Sequence, residues 1–264
     1  MIGNISIDTT RYPNGRTHVL IGGAALHVAL ATAHAETTAH PIAVIGADLA
    51  RLHARPWPEK LDLSHVASIA GASCRFDITY GADGQVMGLT AAYGSAAALT
   101  AHALAVLDRS DCDHWHVCCR RPLDVGQVLE RLVMAGHPFS LDFHLASAAE
   151  QIHAAKSALP HAGAVFVNAA EYQLLDDLVA VNQLATVIVS DGPRAVTLLR
   201  HGRAINTELP RSGPVTEVTG AGDTLAGTFL AKVLQGVAEQ EALASAVTAA
   251  THQARDPGLS YEPP

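Results

Sequence analysis

Residues 214–235 read PVTEVTGAGDTLAGTFLAKVLQ, and this stretch decides how the rest of the chain is interpreted. After Thr219 the apolar residues recur at helical spacing, and Gly236 supplies a C-terminal stop. The helix is therefore predicted to begin near Asp223, with the glycine-rich residues 220–222 as its entry loop. Backbone N–H groups without bulky side chains can point at one anion there, with the positive end of the helix dipole behind them.

Asp223 directly follows this loop. A carboxylate at a helix start is well placed to accept a proton from a hydroxyl that attacks a bound phosphate. Phosphoryl transfer needs little beyond positioning, charge neutralisation and such a base. The alternative is that Asp223 only caps its helix, because Asp is a preferred residue at helix N-termini.

Upstream of this helix, strand-like and helix-like segments alternate. Short apolar runs typical of buried strands lie at 1–7, 41–46, 114–118, 139–143, 164–167 and 186–189. Helix-length segments lie at 22–35, 125–135, 146–159 and 170–179. This alternation predicts a three-layer α/β/α domain with a mostly parallel central sheet.

Two segments depart from the alternation and are predicted to be hairpins. They are residues 74–90, turning at 81–84, and residues 195–208, turning at His201-Gly202. We expect a small β lid over the sheet edge, formed by about 9–20 and 66–92. The whole chain, 1–264, is predicted to be a single domain with this appendage.

Composition excludes several classes of function. The formal charge of −8, with no compensating basic run, argues against a nucleic-acid partner. The cysteines form no C-x-x-C pair, which suits reduced thiols: Cys74, Cys112, Cys118 and Cys119. The N-terminus does not resemble a signal peptide, and no apolar run is long enough for a membrane span. We therefore expect a cytoplasmic protein without a membrane partner.

Other phosphate-binding and catalytic motifs do not match. The P-loop pattern G-x-x-x-x-G-K-[ST] is absent, and after residues 220–222 the next glycine, Gly227, comes two positions too late for a dinucleotide fingerprint. The chain also contains neither G-x-S-x-G nor H-E-x-x-H, despite its 15 histidines. The loop before Asp223 therefore remains the main indication of function.

Polar residues follow three of the predicted strands directly: His144, Asn168 and Ser190. The carboxyl ends of parallel strands lie along one edge of a sheet, where ligands bind. Asn and Ser also favour ordinary turns and caps, and a first-turn carboxylate such as Glu171 is often simply solvated. Three such positions on one edge favour a site.

The chain resembles the ribokinase-like (PfkB-type) carbohydrate kinases, whose C-terminal signature is similar to D-T-x-G-A-G-D followed by a helix. Residues 217–223 read EVTGAGD, and residues 22–27, GGAALH, resemble the family's glycine pair that opens a helix after the first strand. Further matches follow in family order at Gly3 to Asp8, Gly46-Ala47-Asp48, Asn168-Ala169-Ala170-Glu171 and Ser190-Asp191-Gly192. The resemblance covers nearly the whole chain.

The resemblance implies a role for each matching residue. It implies that Asp223 is the catalytic base and that the anion hole is formed by Gly220, Ala221 and Gly222. Asn168 and Glu171 are expected to organise Mg²⁺ and its waters around the phosphates, with Glu171 acting on the metal through water. The nucleotide is expected to contact Ser190, Gly192 and Thr219. The acceptor substrate is expected to contact Asp8, Gly22, Gly23, His27 and His144.

ATP and Mg²⁺ are the cofactors that the resemblance implies, with a monovalent cation as an optional third. The acceptor is expected to be a sugar or sugar-like molecule, with a nucleoside as the nearest alternative, and the lid is expected to offer a surface for a homodimer. An aromatic residue of the lid that stacks on a base would favour the nucleoside; Phe76 and Tyr80, which alternate onto one strand face, are the candidates, with lid packing as the alternative.

Several residues depart from the family pattern. His27 stands where the family commonly has Asn, and it either contacts an unusual acceptor or packs against the lid. Glu217 and Val218 replace Asp-Thr, which keeps the charge but removes a hydroxyl. Asp142, in a segment similar to the family's D-x-N, either lies near the substrate or is a structural carboxylate. These departures leave a third interpretation open: a non-catalytic module that binds a metabolite.

Overall fold

The computed structural model describes residues 1–81, 86–110, 112–213, 219–255 and 258–262. Its strands are β1 (Ser6–Arg11), β2 (Thr17–Gly22), β3 (Ala43–Ile45), β4 (Val66–Ser68), β5 (Cys74–Tyr80), β6 (Val86–Ala92), β7 (Trp115–Cys119), β8 (Phe139–Phe143), β9 (Ala164–Asn168), β10 (Thr186–Ser190), β11 (Val196–Arg200), β12 (Arg203–Glu208) and β13 (Leu259–Ser260). Its α-helices are α1 (Ala24–His34), α2 (Leu99–Leu107), α3 (Val125–Ala135), α4 (Ala148–Ala155), α5 (Ala169–Leu178), α6 (Ala221–Leu234) and α7 (Glu239–Gln253).

The main sheet has the strand order β12-β11-β10-β9-β8-β7. Strands β7 to β10 are parallel, whereas β11 and β12 form the antiparallel hairpin predicted at 195–208. Beyond β7 the sheet continues through bridges from Ile2 to Val117 and to Ile42, which lead to the parallel pair β3 and β4. The parallel centre follows from helical crossovers between successive strands.

Alternate residues of the parallel strands face two different helical layers. On β9, Val165 and Val167 pack with the apolar faces of α2 to α5, while Ala164 and Phe166 pack with α6 and α7. Strands that are covered on both faces read as continuous apolar runs, which is why these segments could be recognised in the sequence. The predicted three-layer α/β/α fold with a mostly parallel sheet is confirmed.

A smaller sheet has the order β13-β2-β1-β5-β6, with β1 parallel to β5. It differs from the predicted lid in two ways, because β4 pairs with β3 in a separate two-stranded sheet and the C-terminal β13 pairs with β2. The predicted first strand at 1–7 is also divided: Ile2 lies in the main sheet and β1 begins at Ser6. The predicted turn of the β5–β6 hairpin falls largely at 82–85, outside the described residues.

Within the described ranges, none of the helices combines the length and the apolar character that a membrane crossing requires.

Candidate active site

The carboxyl ends of β7 to β10 bring polar side chains from four parts of the chain to one edge. Arg120 follows β7, His144 follows β8, Asn168 ends β9 and Ser190 ends β10. Asn168 and Ser190 are register partners, so the ends of β9 and β10 lie side by side. The prediction that His144, Asn168 and Ser190 share this edge therefore agrees with the topology.

Asp223 lies in the first turn of α6, whose N-cap is Gly220. Gly220 has φ +80°, a left-handed conformation that favours glycine, and a Cβ there would lie 2.9 Å from Nδ1 of His27. Among the described residues, no side chain caps this helix start. Asp223 is thus not used as the N-cap, and no described side chain caps the first-turn N–H groups.

A buried guanidinium links Asp223 to a second carboxylate. Arg120 Nη2 donates to Oδ2 of Asp142 and reaches Oδ1 of Asp223 at 3.4 Å. The side chains of Arg120, Asp142 and Asp223 are only 19%, 9% and 13% exposed, so these charges interact with little screening. The carboxylate of Asp223 therefore lies at the rim of the buried cluster, where it can still meet a bound molecule.

Burial dominates the electrostatics of the cluster. It raises the pKa of Asp142 to about 7, a rise that Arg120 opposes and that the charges of Asp223 and Glu171 reinforce. Burial also raises the pKa of Glu171 above its ordinary value. For Arg120, burial is outweighed by Asp142 and Asp223, and the pKa of the guanidinium rises. The guanidinium of Arg120 thus interacts with three carboxyl groups, those of Asp142, Asp223 and Glu171. An additional cation would therefore be stabilised beside them.

The N-x-x-E motif forms a capping box at the start of α5. Asn168 Oδ1 accepts from the N–H groups of Ala170 and Glu171, and Oε2 of Glu171 accepts from the Asn168 N–H at 2.8 Å. Asn168 and Glu171 therefore cap α5, in addition to any role in a site. Since Glu171 is buried beside an excess of carboxylates, its carboxyl group fits a nearby divalent cation held through water.

Another donor cluster, in which His116, Cys118 and Asp142 each offer an atom within 4.8 Å of the others, is less suited to a metal ion. Burial raises the pKa of the Cys118 thiol well above its usual value, and Arg120 already pairs with Asp142.

Three of the predicted acceptor residues, Asp8, Gly22 and His27, meet between the small sheet and α1, whereas His144 follows β8 at the edge of the main sheet. Asp8 is buried and its Oδ1 accepts from Ser6 Oγ at 2.6 Å. A Cβ on Gly22 would lie 1.9 Å from Oδ2 of Asp8, and Gly23 has φ +99°, so the glycine pair lets α1 begin against β1. A cavity of about 10 Å³ is lined by Asp8, Leu20, Ile21, Gly22, His27, Thr219, Gly258 and Leu259. It has room for about one water, so a larger molecule requires the small sheet to move.

Thr219, which the resemblance implies for the nucleotide, lines the same cavity as Asp8 and His27. Its hydroxyl and that of Tyr80 share a hydrogen bond of 3.1 Å. Tyr80 in turn stacks on Tyr12, with ring centroids 5.1 Å apart, whereas Phe76 makes an edge contact with Tyr93. The small sheet is therefore attached to the loop that precedes α6.

The residues predicted for the nucleotide lie at the ends of β9 and β10. Ser190 Oγ donates weakly to Val167 O at 3.4 Å. Gly192 occupies the turn that Asp191 closes by donating its N–H to Ala195 O at 2.8 Å. Glu217 and Val218, the departures from the family signature, lie outside the described residues.

Arg120 is the residue that sequence reasoning missed. It directly follows β7, as His144 follows β8, but the strand predicted from the sequence ended at Cys118, so Cys119 separated Arg120 from the position that the rule selects. Asp142 was left open between substrate contact and a structural role; its pairing with Arg120 now connects it to Asp223.

Comparison with known proteins agrees with this geometry. The family model described as pfkB family carbohydrate kinase matches residues 2–264. A cytidine kinase of Thermococcus kodakarensis is 25% identical over 254 residues, which cover 89% of this chain and 88% of the relative. The structure of Burkholderia thailandensis nucleoside kinase with inosine aligns with a TM-score of 0.82 at 19% identity, covering 97% of this chain and 90% of that one. The Methanocaldococcus jannaschii nucleoside kinase aligns with a TM-score of 0.76 at 16% identity, covering 100% of this chain and 93% of that one.

The fold is a doubly wound α/β fold of the ribokinase type, and the candidate site lies where the carboxyl ends of the strands meet the start of a late helix. The chain belongs to the pfkB family of carbohydrate kinases, as the resemblance indicated.

Proposed function

We propose that this protein transfers the γ-phosphoryl group of ATP to a hydroxyl of a nucleoside, with Asp223 as the general base. The observation that carries the proposal is the start of α6, where Gly220, Ala221 and Gly222 precede a carboxylate that faces the guanidinium of Arg120. Backbone N–H groups and the helix dipole can hold the transferring group there, and the carboxylate can accept the proton of the attacking hydroxyl.

Each residue of the cluster has a step to perform. Asp223 takes the proton of the acceptor hydroxyl, and the N–H groups of residues 220–222 bind the charge that develops on the transferring oxygens. Arg120, which is 3.4 Å from Asp223, neutralises the same charge from the sheet side. Ser190 and Gly192 contact the nucleotide at the ends of β9 and β10.

Mg²⁺ would be held near Asn168 and Glu171. When bound, it neutralises the phosphate oxygens and helps to hold them in line for transfer. Glu171 would orient the metal's waters, and the Asn168 N–H, which donates to its Oε2, holds the side chain in place. A monovalent cation is an optional addition to this site.

The acceptor is proposed to bind where Asp8, Gly22, Gly23, His27 and His144 face the start of α6. A nucleoside is favoured over a simple sugar by the relatedness to a cytidine kinase and by the likeness to nucleoside kinases. The small sheet would act as a lid, since Tyr80 attaches it to Thr219, and its closure would exclude water that otherwise hydrolyses ATP. The exposed strand β6, with Met87 72% exposed, supports the lid as a surface for a homodimer.

The test is an assay of ADP release and acceptor phosphorylation across nucleosides, sugars and polyols. Asp223→Asn should lower kcat by roughly 100-fold or more while ATP binding is retained, because the base acts mainly in the transition state. Asp177→Asn, at an exposed position on α5, is the matched control and should keep full activity.

Equal turnover in the wild type and Asp223→Asn would remove Asp223 from the mechanism. Phosphorylation of sugars in preference to nucleosides would overturn the proposed acceptor class while leaving the base assignment in place. ADP release without a phosphorylated acceptor would contradict the transfer itself.

A further inference from the structure

The guanidinium of Arg120 is shared unequally between two carboxylates. The same nitrogen, Nη2, is in close contact with Oδ2 of Asp142 and reaches Oδ1 of Asp223 only at 3.4 Å. All three side chains are largely buried, where an ion pair is stronger than in water. Arg120 therefore lies beside the proposed base, Asp223, without forming a short ion pair with it.

A histidine of the neighbouring strand faces Asp142. His116 and Ser140 are register partners on β7 and β8, and Ser140 Oγ lies 2.8 Å from Nδ1 of His116. The other ring nitrogen, Nε2, faces Oδ1 of Asp142 at 3.9 Å. Both atoms are buried and have no hydrogen-bond partner in the described part of the chain, and 3.9 Å is too long for a hydrogen bond between them. A proton on Nε2 would put a donor opposite the carboxylate oxygen, and Ser140 can then donate to Nδ1.

His114 is a second histidine at hydrogen-bond distance from the Ser140 hydroxyl. Its Nε2 lies 2.9 Å from the same Ser140 Oγ, so it can donate to the hydroxyl that donates onward to His116. His114 supports the serine, but the ring that faces Asp142 is that of His116. The two histidines therefore offer a matched pair for a test.

We propose that Asp142, oriented by His116, is a positioning residue that restrains Arg120 and keeps the carboxylate of Asp223 available to the acceptor hydroxyl. The inference rests on the proposed function of Asp223. Without the charge of Asp142, the buried guanidinium has Asp223 as its nearest partner. A closed ion pair would occupy the lone pairs with which a base accepts a proton, and it would draw Arg120 away from the transferring group.

The first test is kinetic. Asp142→Asn should lower kcat by about 10- to 100-fold, part of the 100- to 10,000-fold that a general base contributes, and leave both KM values nearly unchanged. In an Arg120→Gln background the same substitution should have little further effect, because Asp142 acts through Arg120. His116→Asn should lower kcat in the same direction, whereas His114→Asn should leave it near the wild-type value.

An equal loss of kcat in the two backgrounds, or an equal loss in the two histidine variants, would overturn the positioning role and leave a merely structural one.

The second test does not depend on activity. Crystal structures of the wild type and of Asp142→Asn should be compared. The distance from Arg120 Nη2 to Asp223 Oδ1, 3.4 Å in the wild type, should be shorter in the variant. The expected value is about 2.8 Å, that of a charge-assisted hydrogen bond. An unchanged distance would overturn the proposal.

The two tests separate this inference from the proposed function. A wild-type protein that phosphorylates no acceptor would remove the function, while the crystallographic comparison would still decide whether Asp142 restrains Arg120. If Asp142→Asn does not fold, Asp142→Ala carries the same structural measurement, because it removes the same charge from beside Arg120.

Discussion

Replacing Gly227 with Ala should destabilise the protein, although Ala is the better helix former. Gly227 lies within α6 where this helix crosses α1, and Thr32 Oγ1 donates to Gly227 O at 3.1 Å. A Cβ at this position would lie 2.3 Å from Val28 O and 2.9 Å from Ala31 Cβ. The carbonyl contact is about 1 Å shorter than ordinary van der Waals contact, so the two helices must separate.

The magnitude follows from opposing contributions. Overpacking of this kind costs about 1–3 kcal/mol, and a weakened buried hydrogen bond adds about 1 kcal/mol. The higher helix propensity of Ala offsets about 1 kcal/mol. We expect the free energy of unfolding to fall by about 1–3 kcal/mol in Gly227→Ala, which for a chain of this size lowers Tm by roughly 3–10 °C. Because His27 on α1 faces Gly220 at the start of α6, activity should fall as well.

The assay is thermal and urea unfolding followed by circular dichroism, with Gly222→Ala as the matched control. Gly222 lies in the same helix, but a Cβ there meets no atom within 4 Å among the described residues. Its substitution should leave the unfolding free energy unchanged or raise it by up to about 1 kcal/mol, the difference in helix propensity between Ala and Gly. A Gly227→Ala protein as stable as the wild type would refute the argument, because it would show that the helices accommodate the methyl group without cost.

Three further outcomes are expected. Burial lowers the pKa of His114 to about 4. The folded protein therefore binds fewer protons than the unfolded chain between pH 6.5 and 4, and about 2 kcal/mol of stability is lost from pH 7 to 5. His114→Asn should reduce this loss of Tm on acidification, and His53→Asn, at an exposed position, should not. Gly220→Ala should lower kcat more than KM in steady-state kinetics, because its φ of +80° is strained for Ala at the proposed anion hole; an unchanged kcat would argue against the hole. Tyr80→Phe should lower Tm by a few degrees, because the bond of 3.1 Å to Thr219 contributes about 1 kcal/mol; an unchanged Tm would show that this bond does not hold the small sheet.

Local patterns in the chain were sufficient to predict the layers of the fold. Strands buried on both faces must be apolar throughout, and amphipathic helices must show their period, so both could be recognised without tertiary information. The predicted bounds of β8 and α3 agree with the structure residue for residue. The glycine-rich loop, Asp223 and the polar residues after β8, β9 and β10 were recognised for the same reason, since their positions relative to strands and helices are written in sequence.

Strand pairing was harder to predict from the sequence, because it joins segments that are far apart in the chain. The division of residues 1–7 between two sheets depends on Ile2 meeting Val117 and Ile42. The short β13 has too few residues to show a pattern, and its place beside β2 is set only by the completed fold. Local periodicity predicts that a strand exists, but not which neighbour it takes.

The sequence by itself determined the class of fold, the helix start that can hold an anion and the carboxylate beside it. Only the tertiary structure decided which charges meet at that carboxylate, because Arg120 is 22 residues from Asp142 and 103 residues from Asp223 along the chain. Backbone patterning places a residue on a strand or at its end, and this is a local property. The pairing of buried charges depends instead on the distances between side chains of different elements, which exist only once the sheet and α6 have come together.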